Sequence, residues 1–550
     1  MKELYDYVLS RPITSKKTLR DLLIYDDYDC WWFIDNIIYN NYNITEKSHP
    51  HRIRIYEKFY PYVVPIYEYL LSIFLRLISW VMRGFKSTKL LQSSVLIIFV
   101  EFLIQWRWIS DTNGNTQFQN VYHKSTFDNI MNCDRIITPY NLGYFPSLAI
   151  LKKYIQVLTM DDHSKVLPCC IREFWSWSSW VQKRDVTHHY VSVWHDIEDE
   201  DDWFDGFAHL LSIDRDKAKY IMKMSLLWVI PDALQTTAMV ENIMHKYNPK
   251  VAIMTNEQTT YGRAWIYEST KHGIPTIGIQ HGVISNHPAY FNHDSANVRV
   301  VGKKIDNSLP VPDITCVWGE TEAKQLRQIA GYPENQVIVT GNTRYDVLSN
   351  AHNIYSKVEF MKKYNINPES KIILWATQCH GMPMSENHQY FKEVFEACRN
   401  ISGVTLIIKQ HPGEGAIYTQ LINKYISQYN LSIPVIVPDK MVDTTELVYF
   451  SDVIINKYST TGHEAVAFHK PMIIMDFTES PDLANYVKEG VGIPVYNPES
   501  LLQQIKDVLD GKSDLIEKQD IYIKNHMYKL DGKSADRIAN IISNMILDSP

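Results

Sequence analysis

The sequence predicts an α/β protein of two Rossmann-like domains that face each other across a cleft, with a helical extension at the N-terminal side. The length of 550 residues is too great for one ordinary domain and favours two or three. Continuous apolar runs of strand length alternate with helix-like stretches, which is typical of parallel sheets covered by helices on both faces. This alternation begins near residue 90 and begins again near residue 371. We expect four parts: the extension 1–90, a first domain 91–345, a second domain 346–525 and a C-terminal helix 526–550.

Composition limits the function classes. Hydrophobic residues make up 45% and charged residues 21% of the chain, the balance of a packed globular protein. The net charge of −7 argues against a globally basic nucleic-acid binder, so we expect no nucleic-acid partner. Seven cysteines, without a C-x-x-C pair, argue against a disulfide framework and a structural zinc site. The N-terminal stretch lacks the apolar region of a signal peptide, and we expect a cytoplasmic protein.

Within the extension, residues 64–82 form an apolar stretch close to the ~20 residues that span a bilayer. Polar residues recur along it at helical spacing: Glu68, Ser72, Arg76 and Ser79. This pattern predicts an amphipathic helix with a wide apolar face. Packing of that helix on the main body is the favoured interpretation. Contact with a membrane surface is the second, supported by three basic residues that follow: Arg83, Lys86 and Lys89. A transmembrane span is the third, because central charges are costly in lipid.

In the first domain, the apolar runs that predict strands are 93–101, 134–140, 251–257 and 274–280. Ligands of open α/β sheets bind at the carboxyl ends of the strands, so the residues just after each run are the candidates. His281 and Gly282 follow one run directly; the glycine permits close backbone approach, and the histidine can act as a general base. The alternative is a structural histidine in a tight turn. Glu257 is a carboxylate at the end of another strand. It is a candidate contact for a second substrate, such as the acceptor in a group transfer.

In the second domain, the strand-like runs are 371–377, 403–410, 433–438, 452–457 and 470–477. The loop after 452–457 carries Ser459, Thr460, Thr461 and Gly462 where a helix begins. Hydroxyl groups and free backbone N–H groups at such a position form a phosphate site. Glu464, in the first turn, can accept hydrogen bonds from ribose hydroxyls. The alternative is an ordinary helix cap with Glu464 as its capping-box partner.

Three further loops support a nucleotide site at the same edge. Lys409 and His411, at the end of 403–410, can each meet a phosphate group. Asn342 and Arg344 follow the short run at 337–339, and Thr377 ends the run at 371–377. These side chains either face a nucleotide diphosphate or are satisfied within their own turns. Glycine-rich dinucleotide and P-loop motifs, a nucleophile elbow and a metal-ligand set are missing from the expected loops, so we expect no cofactor and no obligatory metal.

The segments 277–282, 337–346, 406–413 and 459–471 together resemble GT-B glycosyltransferases. They are similar in particular to the branch with surface-polysaccharide transferases, CDP-glycerol glycerophosphotransferases and UDP-N-acetylglucosamine 2-epimerases. The resemblance covers about residues 250 to 495. It implies that His281 is the catalytic histidine, that His411 contacts the donor phosphate, that Ser459–Thr461 form the phosphate loop, and that Glu464 binds the ribose.

The resemblance implies a sugar transferase that uses a nucleotide-sugar donor and a glycan or lipid-linked acceptor in cell-surface polysaccharide biosynthesis, working at the inner face of the cell membrane. A CDP-glycerol-type polyol-phosphate transferase is the first alternative. The 2-epimerase is the next; it is disfavoured because epimerases carry carboxylates where this chain has Gln280, His281 and Gly282. An inactive GT-B scaffold is the last alternative. The donor base, the sugar, the acceptor, the stereochemical outcome and the oligomeric state are not predicted.

Overall fold

Two parallel β-sheets carry the fold of the computed structural model. The structure describes residues 2–14, 16–39, 50–83, 97–100, 103, 106–110, 116–120, 136–142, 146–159, 166–284, 309–379, 382–411, 413–440, 442–477 and 484–548. Lys86 and Lys89, and the side chain of Arg83, lie outside the described part.

The first sheet has seven strands in the order β3-β2-β1-β4-β5-β6-β7. They are β1 (Ile97–Val100), β2 (Ile136–Tyr140), β3 (Val166–Cys170), β4 (Val251–Met254), β5 (Thr276–Ile279), β6 (Ile314–Val317) and β7 (Val337–Val339). All neighbours pair in parallel. The direction of the order reverses between β1 and β4, which is the topological switch point of a Rossmann sheet.

The second sheet has six strands in the order β10-β9-β8-β11-β12-β13. They are β8 (Lys371–Ala376), β9 (Val404–Lys409), β10 (Val435–Ile436), β11 (Val453–Asn456), β12 (Met472–Met475) and β13 (Ile493–Val495). All pairs are again parallel. The order repeats that of the first sheet, so the predicted pair of Rossmann-like domains is confirmed. The apolar runs predicted every strand except β3, β6 and β13.

Helices cover both sheets. Their bounds are α1 (Lys2–Ser10), α2 (Leu19–Leu23), α3 (Trp31–Tyr39), α4 (Pro50–Arg83), α5 (Leu148–Leu158), α6 (Trp177–Ile197), α7 (Asp201–Leu211), α8 (Arg215–Met224), α9 (Ile230–Tyr247), α10 (Thr260–Lys271), α11 (Glu320–Lys324), α12 (Ala351–Ile354), α13 (Lys357–Tyr364), α14 (Met384–Arg399), α15 (Ala416–Tyr429), α16 (Thr444–Phe450), α17 (Thr461–Ala467), α18 (Leu501–Leu509), α19 (Ile516–Tyr522) and α20 (Ser534–Asp548). Short antiparallel strands pair Ile24–Tyr25 with Tyr28–Asp29, and Trp106–Ser110 with Thr116–Asn120.

The N-terminal helices α1 to α3 form part of the first domain and do not stand apart as an extension. The buried Trp31 and Trp32 of α3 share one apolar core with Phe204 of α7 and Leu226, just after α8. Arg263 of α10 forms a buried ion pair with Asp35. The helical nature of this region was predicted, but its packing was not, because amphipathic periodicity does not identify the partner surface.

Helix α4 packs with its polar stripe toward the protein. Glu68 is 2% exposed and accepts hydrogen bonds from the Lys183 ammonium (3.1 Å), the Gln235 amide (2.7 Å) and the Trp175 indole (3.0 Å). The Ser79 hydroxyl donates to Glu173 at 2.7 Å. The opposite side of the helix exposes large apolar side chains: Ile66, Tyr69, Leu70, Phe74, Leu77, Trp80, Val81 and Met82. Leu71 and Leu75 are also buried in an apolar core on the side toward the protein. The helix therefore carries apolar residues on both sides, unlike an ordinary surface helix, whose outer face is polar.

Helix α20 follows the second domain in sequence but packs on the first sheet. Ile538 and Ile542 are buried in one core with strand residues such as Ile97 and Val251. The carboxylate of Asp346 accepts hydrogen bonds from the backbone N–H groups of Ser534 (2.9 Å) and Ala535 (2.8 Å) at the start of the helix. The chain thus crosses from the first domain to the second and back again.

Candidate active site

At the carboxyl edge of the first sheet, the structure brings together two of the predicted residues. Glu257 follows β4 and is 8% exposed, and burial raises the pKa of its carboxyl to about 7. His281 follows β5, is half-buried, and donates a ring N–H to the backbone carbonyl of Thr255 beside Glu257. Burial lowers the pKa of His281 below its usual range. A neutral imidazole that donates through one nitrogen offers a lone pair on the other, which is what a general base requires.

The loop that carries His281 is tied to the next strand by Gln280. The Gln280 side-chain oxygen accepts from the backbone N–H of Trp318 (2.8 Å), and the Trp318 indole donates to the Gln280 carbonyl (3.0 Å). Trp318 also contacts the second domain, since its ring centroid lies 6.0 Å from that of His463 in α17. The carboxyl edges of the two sheets therefore meet, and residues that follow strands of the first sheet contact residues that follow strands of the second.

A buried ion pair spans this meeting point. The Arg344 guanidinium donates to Glu464 Oε1 at 2.9 Å, and Glu464 is 1% exposed. Burial raises the pKa of the Glu464 carboxyl to about 7, although Arg344 opposes the shift. Oε2 of Glu464 is buried and makes no hydrogen bond of normal geometry within the described residues, although the Thr445 hydroxyl lies close enough to lower the pKa of the carboxyl. An orphaned carboxylate oxygen is costly to bury, and it is suited to accept from a hydroxyl group.

The capping alternative for Glu464 is not formed. Thr460 stands at the N-cap of α17, but its side chain makes no capping hydrogen bond. Ser459 Oγ accepts instead from the backbone N–H of Thr461 at 3.3 Å, and it donates to the Thr461 hydroxyl at 3.1 Å. Gly462 is required for packing, because a Cβ there would lie 2.5 Å from the Tyr486 ring. Predicted residues 459–462 thus form one compact turn beside Glu464.

His411 lies in the neighbouring loop, after β9. Its Nδ1 accepts a hydrogen bond from the backbone N–H of Gly413 at 3.0 Å. In a neutral ring, this contact places the proton on Nε2, which then acts as a donor. The loop is joined to the loop after β8 through Glu414, whose two oxygens accept from the Thr377 hydroxyl (2.9 Å) and the Cys379 backbone N–H (2.6 Å).

Three predicted residues have their polar groups engaged within the protein. The Lys409 ammonium is buried and donates to the carbonyls of Gln410 (2.9 Å) and Lys440 (2.6 Å). The Thr377 hydroxyl is bonded to Glu414, and the Asn342 side chain accepts from the backbone N–H of Arg344 at 3.0 Å. The structure gives these residues a part in holding loop geometry. Their direct contact with a donor stays a prediction.

Sequence reasoning missed a charged cluster at the end of β11. The Lys457 ammonium contacts Glu386 (2.9 Å) and Asp476 (3.6 Å), and all three groups are largely buried. Burial opposes the charge on Lys457, but hydrogen bonds to Glu386 and Tyr390 raise its pKa overall. The three residues lie on different elements, and no local spacing in the sequence connects them.

A second missed cluster joins the two domains. His526 is 4% exposed and contacts Glu322 of α11 at 2.9 Å and Glu489 at 2.7 Å. Burial opposes protonation, but the two carboxylates outweigh it and raise the pKa of His526 to about 9. His526 is therefore charged at neutral pH and stabilises the contact between the domains.

Two Rossmann domains that meet at the carboxyl edges of their sheets define a GT-B architecture, and the predicted fold class is confirmed. Residues 310–543 match the family model described as UDP-N-acetylglucosamine 2-epimerase. Over 235 residues, the chain is 27% identical to the teichoic acid ribitol-phosphate polymerases TarK and TarL of Staphylococcus aureus. These matches cover 40% of this chain, 43% of TarK and 40% of TarL. The chain thus aligns with less than half of either relative, and the resemblance to this branch is confirmed.

Solved structures from the same branch are also similar to the chain. The S. aureus MnaA–UDP co-structure has a TM-score of 0.44 at 15% identity, over 83% of this chain and 99% of that chain. UDP-GlcNAc 2-epimerase from Neisseria meningitidis, bound to UDP-GlcNAc, has a TM-score of 0.47 at 12% identity, over 83% and 100%. The wall teichoic acid polymerase TagF has a TM-score of 0.43 at 14% identity, over 88% and 98%.

Proposed function

We propose that this chain is a transferase that moves the activated group of a nucleotide diphosphate donor to a hydroxyl group of a cell-surface glycopolymer. The observation that carries the proposal is the buried, half-satisfied carboxylate of Glu464 at the point where the two sheet edges meet. Such a group is stabilised when a hydroxyl-bearing ligand supplies the missing hydrogen bond. The relatives with ribitol-phosphate polymerase activity support a function in glycopolymer assembly.

On the donor side, Glu464 accepts from the ribose hydroxyls, and Arg344 holds the carboxylate in place. The Nε2–H of His411 and the hydroxyls of Ser459 and Thr461 face the diphosphate. These are neutral donors and dipoles, and they stabilise charge that develops on the leaving phosphate. No metal has a part in this scheme.

On the acceptor side, His281 removes the proton from the attacking hydroxyl. Its lowered pKa keeps the imidazole neutral at pH 7 and therefore ready to accept a proton. Glu257 follows the neighbouring strand β4 and, with a pKa of about 7, exchanges protons near neutral pH. Closure of the domains excludes water and limits hydrolysis of the donor.

The transferred group is a polyol phosphate in the version that the sequence relatives favour. The acceptor oxygen then bonds to the β-phosphorus of the donor, the bond from that phosphorus to the bridging oxygen breaks, CMP leaves, and His281 takes the hydroxyl proton. In a second version, which the resemblance to GT-B glycosyltransferases implies, the acceptor oxygen bonds to the sugar carbon, the bond from that carbon to the phosphate oxygen breaks, and a nucleoside diphosphate leaves.

Product analysis distinguishes these versions. The purified chain is incubated with CDP-ribitol, CDP-glycerol or UDP-N-acetylglucosamine, each with and without a glycopolymer primer, and the products are followed by chromatography and ³¹P NMR. Primer-dependent CMP release with a new phosphodiester signal supports polyol-phosphate transfer. Primer-dependent UDP release supports sugar transfer. Primer-independent conversion of the UDP-sugar indicates an epimerase, and no turnover of any donor contradicts the transferase proposal.

A binding experiment tests the donor site separately. In a thermal-shift panel of CMP, UDP, GDP and the intact donors, one nucleotide class should raise the melting temperature of the wild type by mass action. Glu464→Gln should remove the shift. Glu446→Gln is the matched control, since Glu446 is also buried and ion-paired at 2.9 Å, to Lys363. Absence of any shift, or an equal loss in both variants, would count against the site and favour an inactive scaffold.

We further infer that the exposed apolar side of α4 rests on a lipid surface. The polar contacts of Glu68 and Ser79 fix the rotation of the helix about its own axis. The apolar side chains on the opposite side therefore face away from the protein. Residues 64–82 are long and apolar enough to cross a membrane by composition, yet 39% of the stretch is buried in the protein. A helix that lies in the bilayer interface satisfies both observations, and Trp80 and Tyr69 suit that interface.

Vesicle flotation tests this inference. The wild type should float with vesicles that contain phosphatidylglycerol, and Leu70→Glu combined with Leu77→Glu should leave the protein in the soluble fraction. Val358→Glu is the control, because Val358 is 78% exposed on α13 and lies outside the α4 surface. Flotation that the α4 variant does not change would contradict the inference. Dimerisation that this variant abolishes would assign the same surface to a protein partner.

A further inference from the structure

Outside the cleft, two helices bring three potential metal ligands together, and a fourth carboxylate lies beside one of them. Glu241 and His245 are four residues apart on α9, and Glu268 and His272 are four residues apart at the end of α10. Glu241 Oε1 lies 3.9 Å from His245 Nε2 and 4.0 Å from His272 Nε2. Glu268 Oε2 lies 3.9 Å from His272 Nε2. The ligand atoms of Glu241, His245 and His272 all lie within 4.8 Å of one another.

Two of these atoms are buried without a hydrogen-bond partner. Glu268 is 1% exposed, and its Oε2 makes no hydrogen bond within the described residues. The same holds for Nε2 of His272. The other oxygen of Glu268 accepts from the Tyr28 hydroxyl at 2.6 Å, which fixes the direction of the carboxylate. Buried polar atoms normally find a hydrogen-bond partner. These two atoms are 3.9 Å apart, too far for a hydrogen bond, so each is available to a ligand.

We propose that Glu241, His245 and His272 bind a divalent cation of the zinc class. Two imidazole nitrogens and one carboxylate oxygen are ordinary ligands for Zn²⁺, and the Glu268 carboxylate next to His272 adds a second negative charge beside the site. Ligand atoms around tetrahedral zinc stand about 3.4 Å apart, so the three ligand atoms, which lie within 4.8 Å of one another, have to move closer together by roughly 0.5 to 1.4 Å. The Glu241 and His245 side chains are 40% and 67% exposed and are free to move inward. The Tyr28–Glu268 hydrogen bond holds this second carboxylate beside His272.

The position of the site indicates a structural metal. Helix α10 begins at the carboxyl end of β4, beside the cleft, whereas His272 lies just beyond its other end. The cation would be remote from the donor loops and would join α9 to the end of α10. Bound there, it would raise stability and leave the cleft chemistry unchanged.

Metal binding to the full chain tests the site directly. The protein is purified without a histidine tag, treated with a chelator, and titrated with Zn²⁺ by calorimetry and with Co²⁺ by absorption spectroscopy. The wild type should take up one equivalent, give the visible bands of tetrahedral Co²⁺, and melt at a higher temperature with Zn²⁺. His245→Ala should weaken binding at least tenfold.

His195→Ala is the matched control. Its side chain is 66% exposed on α6 and lies 2.8 Å from Glu198, but no second histidine completes a ligand set there among the described residues. Zinc affinity in this variant should equal that of the wild type. A wild type that binds no Zn²⁺, or a His245→Ala variant that binds as tightly as the wild type, overturns the proposal.

Discussion

A buried glutamate lies at the carboxyl edge of each sheet, Glu257 at the first and Glu464 at the second. The surroundings of these two side chains differ. Burial raises the pKa of both Glu257 and Glu464 to about 7. Glu464 is held by Arg344 at 2.9 Å, whereas Arg263, near Glu257, is already paired with Asp35. Within the described part of the chain, the carboxylate at the second edge is therefore held by an ion pair, and the one at the first edge is not. Under the proposed function, the two glutamates have similar pKa values but different tasks: Glu464 binds the donor and Glu257 takes part in proton transfer.

The largest expected effect is on turnover, through the first edge. His281→Asn removes the proposed base and should lower kcat by about 10²- to 10⁴-fold, while the Kd for nucleotide stays within threefold of the wild type. Steady-state kinetics and calorimetry measure the two quantities. His388→Asn, a half-buried histidine bonded to Tyr425, serves as control. A kcat within tenfold of the wild type would remove His281 from the proposed chemistry.

The second-largest expected effect follows from removing the ion pair between Arg344 and Glu464. Arg344→Met leaves Glu464 buried without its guanidinium partner, which should cost about 3 kcal/mol in the free energy of unfolding and should weaken nucleotide binding about tenfold. Urea denaturation and calorimetry test both changes. Unchanged nucleotide affinity in a folded variant would show that Arg344 has no part in orienting the donor site.

A smaller effect concerns the contact that holds the two edges together. The folded-state pKa of His526 is about 9, above the ordinary value of 6.5. Its stabilising contribution is therefore complete below pH 6.5 and is lost as the pH rises through 9. We expect a loss on the order of 2–3 kcal/mol between pH 7 and pH 10. His526→Gln should flatten this part of the stability profile, and an unchanged slope in that variant would assign the pH dependence to other groups.

The smallest effect tests whether the loops of the second edge depend on one another. Thr377→Val removes the hydroxyl that donates to Glu414 at 2.9 Å, with an expected loss of about 1 kcal/mol in the free energy of unfolding. Nucleotide affinity should fall less than threefold, because the loop backbone is also held by the Cys379–Glu414 hydrogen bond. A larger fall in affinity would give Thr377 a direct contact with the donor.

The sequence predicted the two sheets because strands depend on local patterns; the position of the site, which was inferred from the strand ends, stays a prediction. Strands such as β9 and β11 are continuous apolar runs, and the candidate residues follow them directly. Strands β3 and β13 were missed because their VLPCC and IPV runs each carry a proline, and β6 was missed because a threonine interrupts its ITCV run. The E-x-x-x-H spacing occurs at both 241–245 and 268–272, and this repeat could have indicated a metal site.

Features that depend on tertiary contacts could not be predicted from the sequence pattern. Periodicity located the two faces of α4. Which of these faces packs against the protein depends on Lys183 and Gln235, which bind Glu68 from more than a hundred positions away. The Arg344–Glu464 pair likewise joins residues 120 positions apart. Only the fold decides which of many charged residues meet, and whether Lys409 faces a ligand or two carbonyl groups.

The return of α20 to the first sheet has a consequence for synthesis on the ribosome. One face of that sheet is completed by Ile538 and Ile542, which emerge only after every strand of the second domain has been translated. The second domain can therefore reach its native packing while apolar strands of the first are still uncovered. During synthesis, the first domain therefore stays incompletely packed for longer than the second. Chaperones that recognise exposed β-strands should bind to the uncovered face of the first sheet during that time.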